Sequence, residues 1–216
     1  MTGLIMKDIL VMRKALTSYL FIMVLYAVMA LLDIFNFGFI ITFVQVMLMV
    51  LPITAFAYDE QAKWDRYAMS LPLGRSKVVG ARYLFVLVLA LCTFSLALFG
   101  IAIIYLLQQE DLVEMLLTLM VSASIGLLVP AIILPLNYKL GAERARPYLY
   151  TVIFIPVIVV VLLSKLDLLD LSALNALEAL SPAFIIGGAA LLPLVGLAAL
   201  FISYLISCRV AAGKEY

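Results

Sequence analysis

The sequence predicts an all-α, polytopic membrane protein: six transmembrane helices, an N-terminal amphipathic helix and a short cytosolic helix between the second and third spans. Three observations carry this. Hydrophobic residues make up 67% of the 216 positions and charged residues 12%, which leaves too little polar surface to dissolve a globule. The apolar residues gather in runs near the roughly 20 residues that a helix needs to cross a hydrocarbon core of about 30 Å. When the chain is threaded through the membrane six times with its N-terminus inside, every Lys and Arg except Lys165 falls on the inner side.

The elements follow in order. Residues 1–14 mix Leu4, Ile5, Ile9 and Met12 with Lys7, Asp8, Arg13 and Lys14, a pattern suited to an in-plane helix or to a plain positive anchor. The spans are placed at 16–32, 37–57, 83–107, 115–136, 148–163 and 183–207 of a single 1–216 transmembrane domain. A signal peptide is the other reading of the first span, but no small-residue cleavage site follows it, so it is read as retained. Acidic residues such as Asp33, Glu110, Asp111, Asp167 and Glu178 collect on the outer side. An even number of crossings puts both termini in the cytosol of a cell membrane. Residues 168–180 alternate Leu with Asp170, Ser172, Asn175 and Glu178, too polar for a seventh span. Pro130, Pro135, Pro156 and Pro193 sit inside spans, where each removes a backbone hydrogen bond and favours a kink.

The spans carry no Asp, Glu, Lys, Arg or His near the midplane, where an ion-coupled carrier would place them. Their polar groups are uncharged: Thr42, Gln45, Thr54, Cys92, Thr93, Ser95, Thr118, Ser122 and Ser124. Such groups serve as interhelical glue, and Gln45 is the one placed to face a translocation path. With no histidine and two cysteines at different depths, no zinc cluster, HExxH or Ser-His pair can be assembled. No P-loop occurs, so ATP and Mg, if used, belong to a partner chain. Nothing points to nucleic acid.

Residues 58–80 are the main polar interruption. Trp64, Tyr67, Ala68 and Leu71 recur at i, i+3, i+4 and i+7, with Asp65, Arg66 and Ser70 on the other side, which predicts a short helix in the inner interface. Asp59 and Lys63 are spaced as a favourable i, i+4 pair. Pro72 ends that helix, and Ser76 is a candidate cap for a second one leading into the third span. A basic loop that only fixes topology accounts for the same composition.

An acidic residue closing the second span (Glu60), an aromatic short helix (Trp64 to Tyr67), then Ser70-Leu71-Pro72, Arg75 and Val78 to Tyr83 resemble the signature of ABC-2 type permeases. The resemblance implies that this segment is a coupling helix docking on a separate ABC ATPase subunit. Its coupling residues would be Glu60, Trp64, Arg66, Tyr67, Leu71, Pro72 and Arg75. It also implies a second permease copy or paralogue, a path bordered by the first and fifth spans, and short outer-leaflet helices at 168–180. Among small bacterial permeases the chain is most similar to those that export amphipathic toxins such as phenol-soluble modulins. The expected function is therefore ATP-driven export of amphipathic or hydrophobic cargo, peptides foremost. An ion-coupled secondary transporter and a non-transporting assembly or sensor subunit are the alternatives from other classes.

Overall fold

The computed structural model describes residues 2–31, 37–64, 67–68, 74–108, 111–166 and 182–213. Among them are seven long helices: α1 Thr2–Val11, α2 Arg13–Leu31, α3 Phe37–Gln61, α4 Arg75–Gln108, α5 Leu112–Leu140, α6 Ala142–Lys165 and α7 Pro182–Ala212. Helices α3 to α7 are each long and apolar enough to cross a membrane, and α1 with α2 makes a sixth candidate bent by 58°. The expected polytopic all-α architecture is what the chain adopts.

The bend between α1 and α2 falls at Met12, which is completely buried in the main apolar core. Burying that side chain holds the turn, and the backbone bonds from Met12 N to Asp8 O and from Leu16 N to Met12 O continue through it. Helix α1 is amphipathic in an inverted sense. Its charged residue Asp8 is buried and Lys7 half-buried, while Met6, Ile9 and Leu10 face outward. Apolar residues turned away from the protein suit a helix bordered by lipid, where aliphatic side chains need no cover.

Helix α5 is central, packing on α3, α4, α6 and α7. Asp111 caps its start by accepting from Val113 N at 3.0 Å, with Glu114 at the third helical position. Close approach to α7 is possible because residue 196 is glycine: a Cβ there would lie 3.0 Å from Leu127 Cβ. Ser124 Oγ donates across the same interface to Leu192 O at 2.9 Å. On the α4 side, Tyr83 Oη shares hydrogen bonds with Ser203 Oγ (2.6 Å) and Ser207 Oγ (2.7 Å) of α7. Thus α3, α4, α5 and α7 form a closed core. Helix α6 stands apart, burying only Ala142 and Ala145 of its first turn.

Two local expectations are corrected. Ser76 is not a cap: α4 begins at Arg75, Lys77 N bonds to Gly74 O, and Ser76 lies inside the first turn. Asp59 does not pair with Lys63, whose backbone turns into the left-handed region (φ 51°) and leaves the helix. Asp59 is taken by cations from other helices, described next. The segment 168–180 lies outside the described residues.

Candidate functional site at the segment joining α3 and α4

The end of α3 and the start of α4 meet α1 at one end of the bundle, and four charged side chains are drawn together there. Lys7 Nζ donates to both Asp59 oxygens (2.7 and 2.8 Å) and lies 3.0 Å from Asp8 Oδ1. Arg82 donates through Nη2 to Asp59 Oδ2, and its Nη1 stands 3.1 Å from Asp8 Oδ2 in a charge contact without hydrogen-bond alignment. Two cations and two carboxylates make a neutral quartet. Desolvating four charges is costly, and only this mutual pairing offsets it. Aromatic rings complete the enclosure: Arg82 lies 4.8 Å from the Phe56 ring centroid, Lys7 lies 4.3 Å from that of Trp64, and Tyr138 packs edge-on against Phe56.

Beside the quartet, Glu60 reaches away from α3 to the start of α6. Its Oε2 accepts from Ala142 N at 2.5 Å and from Glu143 N at 3.2 Å. A carboxylate here satisfies two of the orphan N–H groups of α6 and meets the positive end of its dipole. Gly141 makes the approach possible on two counts. Its φ of +86° is a conformation that suits glycine, and a Cβ there would come within 2.8 Å of Glu60 Oε1.

Arg75 does the converse at the other helix end. Its Nη1 donates to Ala212 O at 2.8 Å and approaches Ala211 O at 3.4 Å, placing a cation on the last carbonyls of α7. The end of α3 and the start of α4 are thus bound to α1 through Asp59 and Arg82, to α6 through Glu60 and to α7 through Arg75.

Of the expected coupling residues, Trp64 is half-buried under Lys7, while Tyr67 is 58% exposed with its ring centroid 5.2 Å from that of Trp64. Ala68 is buried. Arg66, Leu71 and Pro72 lie outside the described residues. Gln45 is far along α3 from this segment and is only 2% exposed, its amide packed toward Gly126 of α5 without a hydrogen-bond partner. It borders two grooves. One, of about 430 Å³, adds the hydroxyls of Thr42, Thr118 and Ser122; the other, of about 450 Å³, is walled by aliphatic and aromatic side chains.

The quartet partners Lys7, Asp8, Asp59 and Arg82, together with Gly141, are residues of this candidate site that pattern reading missed. A signal existed for one of them. Arg82 sits inside Val78-Val79-Gly80-Ala81-Arg82-Tyr83-Leu84, and a charge embedded in an apolar run implies a buried partner.

Taken together, these features define a multi-pass α-helical membrane protein whose second and third spans are braced where α3 ends and α4 begins, at the end of the bundle that carries α1. The chain belongs to the ABC-2 transporter family, matching the family described as ABC-2 family transporter protein over residues 3–211. It is thereby a membrane subunit for transport, of a family that usually pairs with an ABC ATPase subunit. No curated protein and no solved structure matches it significantly.

Proposed function

We propose that this chain is the permease subunit of an ATP-binding cassette exporter that moves amphipathic or hydrophobic cargo, peptides foremost, out of a bacterial cell. Two permease subunits would work with two ATPase subunits that hold ATP and Mg, and both termini would lie in the cytosol. The observation that carries this reading is the bracing where α3 ends and α4 begins: these helix ends are tied to three helices from within, and Tyr67 beside them is more than half exposed. A docking surface needs that combination, because a push on a loose loop would be absorbed by the loop. Trp64, Arg66, Tyr67, Leu71 and Pro72 would meet the ATPase subunit.

The cargo class is supported by the two grooves at Gln45, whose lining side chains are all uncharged. Apolar wall gives about 25 cal/mol per Å² buried, and the hydroxyl oxygens of Thr42 and Thr118 in the first groove can accept from a peptide N–H. The test is reconstitution with the cognate ABC ATPase subunit in lipid nanodiscs. Trp64→Ala with Tyr67→Ala is expected to insert normally and to lose ATPase association. Amphipathic peptides are expected to stimulate ATP turnover, and Gln45→Leu to reduce that stimulation more than basal hydrolysis. Undiminished association in the double variant would remove the docking assignment, and stimulation by sugars alone would remove the cargo assignment.

A further inference from the structure

Among the five helices that are each long and apolar enough to span on their own, α6 buries the least of its apolar stretch. None of the 18-residue apolar stretch that would lie in hydrocarbon is buried, and its buried residues are Ala142 and Ala145. Its anchorage is one turn long and lies where Glu60 caps it. A rod held at one end turns a small tilt of its clamp into a larger displacement of its far end.

We propose that Glu60 is a positioning residue that carries displacement of the end of α3 to α6, rather than a contact for the ATPase subunit. This rests on the ABC exporter reading. Three facts support it. The carboxylate is committed to backbone N–H groups of α6 within the same chain. Gly141 removes the Cβ that would displace it. Asp59, its neighbour in sequence, ties the end of α3 to α4 and α1 through the quartet, so Glu60 stands on a helix end that is held on both sides.

The experiment compares wild type, Glu60→Ala, Glu60→Gln and Gly141→Ala, each with the cognate ATPase subunit in nanodiscs. Glu60→Ala is expected to keep wild-type ATPase association and basal turnover. Stimulation by amphipathic peptides should fall about fivefold or more, the range of ordinary allosteric coupling. Gly141→Ala should reproduce the loss from the other side of the contact, and the double variant should be no worse than either single one. Glu60→Gln, which keeps an acceptor oxygen, should lie between. Spin labels at positions 62 and 146, with Cys92 and Cys208 replaced by Ser, report the contact directly. Their separation should stay narrow across nucleotide states in wild type and broaden in Glu60→Ala. Weakened ATPase association in Glu60→Ala with unchanged stimulation of the remaining complexes would make Glu60 a docking residue and overturn the proposal. So would full coupling with an undisturbed label distance. Wild type that binds no ABC ATPase subunit would instead overturn the exporter reading, and the proposal with it.

Discussion

At the scale of single residues, the charge of this protein is placed by pairing and not by exposure. Arg82 has a side chain only 7% accessible, and Asp8 and Asp59 are buried to a similar degree, so each is stable only while its partners remain charged. Removing one member leaves an uncompensated buried charge, which costs about 3–5 kcal/mol. Asp59→Asn leaves two cations facing one carboxylate and is expected to lower the thermal unfolding midpoint in detergent by the largest margin of any single change in the quartet. Lys7 is 20% accessible, so water screens what it leaves behind, and Lys7→Gln is expected to cost roughly 1 kcal/mol or less. Equal midpoints for the two variants would contradict the quartet as the source of stability. The sequence held half of this. The acids and bases were visible, but the favourable spacing from Asp59 to Lys63 suggested a local pair, whereas the tertiary fold brings Lys7 and Arg82 to Asp59 from 52 and 23 positions away.

At the scale of elements, the spans were legible because hydrocarbon thickness imposes a length that composition reveals directly. Their ends were less so. Helix α4 runs unbroken for 34 residues, about 51 Å at 1.5 Å per residue, well beyond the expected 83–107. Its first two turns carry Arg75 and Arg82, which read as interfacial until α1, α3 and α7 supply partners. Helix contacts were not legible at all, since small residues recur in every span and only geometry separates packed glycines from idle ones. Gly196 is packed: Gly196→Ala would push α7 off Leu127 and is expected to cost about 1–3 kcal/mol. Gly100 of α4 has open space where a Cβ would stand, with nothing within 4 Å, so Gly100→Ala is expected to be neutral or to stabilise by up to about 1 kcal/mol through helix propensity. Thermal midpoints of the two variants, measured side by side in detergent, check the contrast; a Gly196→Ala midpoint at or above that of Gly100→Ala would mean that α5 and α7 do not meet there.

At the scale of the whole molecule, the closed core decides where a path can form. Helices α3, α4, α5 and α7 spend their small and polar residues on one another, as at Ser124, Gly196 and the Tyr83–Ser203–Ser207 cluster. Helices α2 and α6 are left with uncommitted faces, represented by Phe21, Val24, Phe154 and Val157. Apolar exposure alone demands no partner inside a bilayer, because lipid covers it as well as protein does. A path between two chains, as proposed above, would take a wall from each, and α2 and α6 are the spans proposed to provide it. Under the proposed dimer, single cysteines placed along α6 from 153 to 161, in a background lacking Cys92 and Cys208, are expected to cross-link two copies in membranes. The reactive positions should fall three and four apart, marking one helical face. Cysteines at Leu191, Leu194 and Val195 of α7, equally exposed in the single chain, should remain monomeric on a non-reducing gel. Cross-linking through α7 with α6 silent would move the second copy to the opposite side of the core and take the path away from the span that Glu60 holds.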